Sequence, residues 1–439
     1  MNTENVVSDL EVRVARKLQM RILPFVILLY FVSFLDRVNV GFAALSMNTA
    51  IGLTPAKLGF GSGIFFIGYI AVQVPSNLIM MRVGARRWIA RVVIAWGVVS
   101  VGSAFVVGPY SFYALRFLLG ITEAGFFPGT LLYLSLWFPA RQRALAIATF
   151  MTAAPLSQAI GSPISGALME LPRSLGIANW QWLFILEGVP AIALGFLTLK
   201  VLTDRPEQAA WLQTDERAWL VSTLAQERAE KKPHTSSARA AMATLCDPRV
   251  LALALIYSGT SAGLYAVSFW SPLIIHQFGF SALTIGWINA VPSAIAAIGM
   301  LFWARHSDRT LERSWHVAIA CLLGCIGLVC AGRAQTAVAI VVALTVVNFG
   351  SNAPKGPVWA LPSMFLSGSG AAAGIAWINS MGNIGGFVGP WLIGVIKQRY
   401  GSYAGGLYAV GAMMALSSIL MLALRRQIEH KNRVAEGAQ

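Results

Sequence analysis

The chain has 439 residues, of which 56% are hydrophobic and only 12% charged. Soluble domains carry about 25% charged residues, so this composition excludes a soluble globular enzyme or binding module. The net charge of +15 would suit a nucleic-acid partner only if it were clustered, and it is not.

Hydropathy predicts twelve membrane spans, near residues 22–45, 57–80, 87–107, 109–137, 142–169 and 181–202, then 248–275, 281–303, 315–332, 336–366, 370–397 and 402–425. A basic head (Arg13, Arg16, Lys17, Arg21) precedes the first run, which continues past Asp36-Arg37 without a small-residue cleavage site; a first span is expected there, not a cleavable signal. Between the sixth and seventh spans lies the longest polar segment. In it Leu212, Trp219, Leu220 and Leu224 recur at helical spacing, and Thr214 before Asp215-Glu216 reads as a helix cap. The expected organisation is therefore an N-terminal six-helix bundle (1–202), a cytoplasmic linker with an amphipathic helix (203–247), and a C-terminal six-helix bundle with a cytoplasmic tail (248–439). The fold class is all-α, polytopic, in two pseudo-symmetric halves.

Placing the 33 Lys and Arg on alternate sides puts most of them in the segments that share a side with both termini. Lys57, Arg173, Arg333, Lys397 and Arg399 fall on the other side. This bias predicts cytoplasmic N- and C-termini in an inner membrane, and it accounts for the basic charge without nucleic acid. Of the four cysteines, Cys321, Cys325 and Cys330 lie in one apolar helix and Cys246 in the linker; they are read as packing residues rather than metal ligands or disulfides. No metal cluster, cofactor loop or nucleophile–base arrangement is visible, so no cofactor and no enzymatic activity are expected.

Three cations remain inside spans: Arg37, Arg116 and Lys355. Two acids lie clearly inside as well, Asp36 and Glu123, while Glu187, placed near the outer end of the sixth span, is read as structural. Ionisable groups at membrane depth are costly and mark functional sites unless they merely neutralise one another. Two acids cannot neutralise three cations, and a site that gains positive charge on protonation should hold an anion more strongly. Asp36 and Glu123 suit proton carriage, because a carboxyl in a partly desolvated cavity holds its proton and a neighbouring Arg releases it. Arg116 could be the movable partner of these acids. Arg37, always charged and able to fork onto a carboxylate, suits substrate binding, and Lys355 could hold a second anionic or hydroxyl group. Lys355 sits in Asn352-Ala353-Pro354-Lys355-Gly356-Pro357, where two prolines and a glycine must break the helix; irregular backbone at that depth is tolerated where it lines a cavity. Tyr69 with Gln73, Trp359, and Asn379 with Asn383 could complete a pocket, or could serve interhelical hydrogen bonding and packing.

The loop Arg305-His306-Ser307-Asp308-Arg309-Thr310-Leu311-Glu312-Arg313, with a degenerate counterpart at Met81–Arg87, resembles the loop motif of the major facilitator superfamily. Leu35-Asp36-Arg37-Val38-Asn39, together with Arg116 through Gly129 of the fourth span, is similar to the anion:cation symporter family within it. That family includes transporters of galactonate, rhamnonate, tartrate and phthalate. The resemblance implies that Asp36 and Glu123 are the protonatable pair, that Arg116 pairs with the acids, and that Arg37, Tyr69, Trp359 and Asn379 contact substrate. Lys355 departs from the sugar-acid pattern and looks more like the tartrate, phthalate and hydroxyphenylacetate branch. Ala154 and Phe34 stand where sugar-acid carriers can offer polar contacts, which argues against a polyhydroxylated substrate, and the extra cation Lys355 favours a dicarboxylate or an aromatic acid. The expected activity is proton-coupled symport of an organic anion into the cell by alternating access, by a chain that works as a monomer with the lipid bilayer, protons and a small anion as partners. The rival readings are a uniporter or anion exchanger on the same fold, or a membrane carboxylate receptor that transports nothing.

Overall fold

A computed structural model describes residues 3–230, 244–310, 312–362 and 368–436. Backbone donors and acceptors have no water to turn to in a hydrocarbon core, so each apolar run must satisfy its own hydrogen bonds as a helix. Eleven described helices are long and apolar enough to cross a membrane: Leu10–Ala50, Pro55–Val83, Ala85–Phe105, Pro109–Trp137, Ala140–Met169, Asn179–Val201, Pro248–His276, Ala282–Thr310, Ser314–Arg333, Ala337–Ala360 and Ala404–Arg426. The helix Gly368–Tyr400, 33 residues long, stands between the last two and completes twelve. It is called the eleventh span below, and Ala404–Arg426 the twelfth.

The spans pack in a repeated pattern. The third lies on the sixth and the ninth on the twelfth, while the second meets the eleventh and the fifth meets the eighth. These last two pairs join the first six helices to the last six, as two pseudo-symmetric halves would require.

Four spans are interrupted at depth. The first breaks at Asn39, the fourth at Ala124-Gly125, the fifth at Thr152 and the tenth between Asn352 and Lys355. The last is the break that Pro354 and Pro357 dictate, with Pro354 capping a short helix Lys355–Ala360. Residues 363–367, at the predicted end of the tenth span, lie outside the described residues.

The linker helix runs Thr214–Glu230, with Leu212, Leu220 and Leu224 buried as their spacing predicts. Thr214 is not its cap. The Gln213 carbonyl accepts the Arg217 N–H and the Gln213 N–H is covered by Glu216 at 3.0 Å, so Gln213 is the cap and Thr214 the first helical residue. A long acidic side chain three positions on reaches the cap N–H, which the Thr214 reading overlooked. Lys17 Nζ donates to Glu216 at 2.7 Å and Arg143 Nη2 to Glu227 at 3.0 Å, which pins the helix to the face bearing the chain ends. Lys231, Lys232 and Pro233 fall outside the described residues.

At the opposite face the two halves are tied by matching helix caps. Thr54 caps the second span by accepting the Lys57 N–H, at 3.4 Å, and Ser281 caps the eighth by accepting the Thr284 N–H, also at 3.4 Å. The next free N–H in each helix is then covered from the other half. Gln398 accepts the Ala56 N–H at 3.2 Å and Glu170 accepts the Leu283 N–H at 3.0 Å. A helix N-terminus has unsatisfied donors and a partial positive charge, so each cap both closes this face and completes a helix.

Candidate functional site

Six of the predicted substrate residues line one cavity of about 400 Å³: Arg37, Tyr69, Lys355, Trp359, Asn379 and Asn383. The volume lies within the usual range for small-molecule sites. Its walls come from both halves, and Phe34 and Ala154, the two apolar replacements noted in the sequence, are among them. It lies on the chain-end side of the caps described above.

Gln73 does not join them. It is 5% exposed, its Oε1 has no partner and it lies outside the cavity wall. One helical turn gives Gln73 the same face as Tyr69 but a different depth.

Arg37 reaches the cavity through a tightly specified seat. Gly120 of the fourth span backs directly onto the Phe65 carbonyl of the second, where a Cβ would collide. That close approach brings Glu123, one turn on, against the first span. Arg37 Nε donates to Glu123 Oε1 at 2.7 Å, and the Ser33 hydroxyl donates to the same oxygen. Arg37 Nη1 donates to the Tyr265 hydroxyl at 3.3 Å from the other half. Its guanidinium carbon lies 5.1 Å from the Tyr69 ring centre and 5.3 Å from that of Phe65, within cation–π range. Nη2 is buried without a partner.

The acid partner of the arginines differs from the sequence expectation. Arg116 makes no ion pair among the described residues. It is 1% exposed, with Nε and Nη2 unpartnered, and rests 5.3 Å from the Phe65 ring and 6.0 Å from that of Phe269. Arg37, not Arg116, holds Glu123. Two turns of separation put Arg116 and Glu123 on one helix face, but the acid is taken by a cation from a neighbouring helix.

Asp36 turns away from Arg37. Its Oδ1 accepts the Ser100 hydroxyl at 2.7 Å, while Oδ2 is buried and unpartnered. Successive helical residues face about 100° apart, so adjacency in sequence did not imply pairing. In the second half, Lys355 Nζ donates to Asn352 Oδ1 at 2.8 Å and Asn383 Nδ2 to the Asn379 carbonyl at 3.0 Å. Trp359 meets Tyr257 edge to face, with ring centres 5.0 Å apart.

The cavity also contains Tyr30, Tyr257, Ser261 and Tyr265, which sequence reasoning missed. Tyr257 and Tyr265 are two turns apart on the seventh span, the symmetry mate of the span that carries Asp36 and Arg37. That relation was the available signal. Glu187 is buried as well, at 3% exposure, so among the described residues the charges at depth are three acids and three cations rather than two and three.

The description "Major Facilitator Superfamily" matches residues 26–390. A "Putative tartrate transporter" of Agrobacterium vitis is 58% identical over 95% of this chain and 96% of its own. A "Quinolone resistance transporter" of Acinetobacter baumannii is 38% identical over 96% of this chain and 97% of its own. Among solved structures, an inward-facing bacterial homolog of the human lysosomal transporter Spinster superposes with a TM-score of 0.77 at 16% identity, covering 93% of this chain and 97% of that one. The chain belongs to the major facilitator superfamily and is a membrane transporter, not an enzyme.

Proposed function

We propose that this transporter carries an organic anion of the tartrate type, a small dicarboxylate, together with protons from the periplasm into the cell. The inner membrane is its location, both chain ends are cytoplasmic, and the two halves rock around the cavity. The observation that carries this reading is the Arg37–Glu123 contact at the wall of a cavity that also receives Lys355. A carboxylate substrate and the Glu123 carboxylate compete for one guanidinium edge. Protonating Glu123 removes the competitor, frees Arg37 for the anion and adds positive charge to the site. Loss of that proton on the cytoplasmic side lets Glu123 recapture Arg37 and displaces the anion. Lys355 would take the second carboxylate, with Tyr69, Trp359, Asn379 and Asn383 closing around the carbon skeleton. The tartrate name of the relative at 58% identity supports the substrate class.

The test uses purified protein in liposomes with an entrapped pH dye. Tartrate, succinate, an aromatic acid, a neutral sugar and a quinolone compete against labelled tartrate. Tartrate-driven proton entry, with competition by dicarboxylates, is expected. Competition by the sugar or the quinolone but by no carboxylate would refute the reading. The double variant Asp36→Asn with Glu123→Gln separates symport from exchange, because an exchanger keeps its activity and a symporter loses pH-driven accumulation. Binding of tartrate without any movement across the liposome would identify a receptor.

A further inference from the structure

Glu187 belongs to the sixth span, Asn179–Val201, which packs against the first, third and fifth. Eight residues from the helix start, it lies about 12 Å along the span from its end opposite the chain ends at the helical rise. The carboxyl is buried, with Oε1 accepting the Ser165 hydroxyl of the fifth span at 2.7 Å and Oε2 without a partner. No cation pairs with it among the described residues. A packing carboxylate at this depth would be matched by a cation; Glu187 has the Ser165 hydroxyl and a neighbouring amide, Asn39, instead.

Among the described residues, Asp36 and Asn39, one turn apart on the first span, both act on the Glu187 carboxyl. The third span contributes Ser100, which holds Asp36, and the fifth contributes Ser165; the ionisable residues of the third span lie at its other end. Gly188 presses against Ser100, where an added Cβ would lie 3.1 Å from the serine Cβ, so the sixth span brings Glu187 to the level of the Asp36 seat. Asp36 in turn adjoins Arg37, whose Nε holds Glu123 Oε1 at 2.7 Å. Both amide atoms of Asn39, Asp36 Oδ2 and Glu187 Oε2 are buried and unpartnered, so each of the three side chains keeps an unused polar atom.

We infer that Glu187 is the entry carboxyl of a three-acid proton path, Glu187 to Asp36 to Glu123, running through the first half from the face opposite the chain ends. In each hop an O–H bond breaks on the donor carboxyl as one forms on the acceptor carboxylate. The negative charge passes back to Glu187, which is reprotonated from solvent when that face opens. Glu187 lies outside the cavity wall, so its role is to load the proton rather than to bind the anion.

This inference rests on the symport reading, and the two fail differently. In liposomes with an entrapped pH dye and labelled tartrate, wild-type protein that moves tartrate without protons would overturn the symport reading itself. Given proton-coupled wild type, Glu187→Gln is expected to keep tartrate counterflow at equal pH within about threefold. Its accumulation driven by a pH gradient should fall at least tenfold, with Glu187→Asp recovering part of it. Proton-driven accumulation by Glu187→Gln at the wild-type level overturns the inference, and so does equal loss of counterflow and accumulation. If Glu187→Gln does not fold, Ser165→Ala decides, because it keeps the carboxyl but strips a donor from its charged form. The pH of half-maximal uptake should then rise by about one unit; an unchanged profile overturns the inference.

Discussion

Arg37 Nε donates to Glu123 Oε1 at 2.7 Å between the first and fourth spans, while Asp36, its neighbour in sequence, faces Ser100 of the third. One helix therefore distributes two adjacent ionisable residues to two separate networks. Arg37 joins the cavity and Asp36 stays within the first half. In the proposed symport, proton and anion are thus handled in separate places, with Glu123 between the two networks.

Lys355 should set the preference for two carboxylates over one. Its single described partner is Asn352, at 2.8 Å, so its remaining donors are available to a ligand. Lys355→Met should weaken succinate and tartrate about tenfold or more while changing a monocarboxylate such as propionate much less, since a hydrogen bond to a charged group is worth ~1.5–3 kcal/mol. Inhibition constants for the two classes, measured on both proteins, check this. Equal weakening would assign Lys355 a general electrostatic role.

Gly41 seals the face opposite the chain ends. A Cβ there would sit 2.8 Å from the Phe269 carbonyl oxygen and 3.0 Å from that of Ser268, both backbone atoms of the other half. Overlap of this kind costs ~1–3 kcal/mol, enough to shift the balance between two conformations severalfold or more. Gly41→Ala should therefore reduce labelling of a cysteine at Ala360, on the cavity wall, in a variant stripped of native cysteines. Unchanged labelling would place the seal elsewhere.

The cap that Glu170 provides should be pH-sensitive, and its counterpart from Gln398 should not. The Ser281 hydroxyl and the Leu283 N–H beside Glu170 hold its carboxyl below its ordinary value. A depressed carboxyl stabilises the capped state above its ordinary titration range, and that contribution is lost as pH falls through the lowered value. Acid below about pH 4.3 should therefore loosen the cap in wild type but not in Glu170→Gln. Hydrogen-exchange protection across residues 281–285, compared between the two proteins at each pH, checks this; parallel loss in both would remove Glu170 as the cause.

The span pattern and the break at Pro354 were legible because apolar length and proline chemistry act locally. The burial of Leu212, Leu220 and Leu224 was legible for the same reason. Partner choice at depth was not. Whether Glu123 meets Arg116 on its own helix or Arg37 on another depends on how closely the second and fourth spans approach, which Gly120 and the Phe65 carbonyl decide together. Tyr257 and Tyr265 were overlooked because aromatic residues in an apolar run look alike whether they fill a core or line a cavity. Gln73 was over-read because helical spacing reports direction without depth. Glu187 was set aside for its place near the outer end of the sixth span, although Gly188 packs that span against Ser100, which holds Asp36.

The competition between Glu123 and the anion for Arg37 is tested most directly by tartrate affinity as a function of pH in wild type and Glu123→Gln. Isothermal titration of detergent-purified protein between pH 5 and 8 supplies it. If protonation of Glu123 frees Arg37, wild-type affinity falls as pH rises, while Glu123→Gln binds at every pH about as tightly as wild type does in acid. Parallel pH dependence in the two proteins would contradict the account.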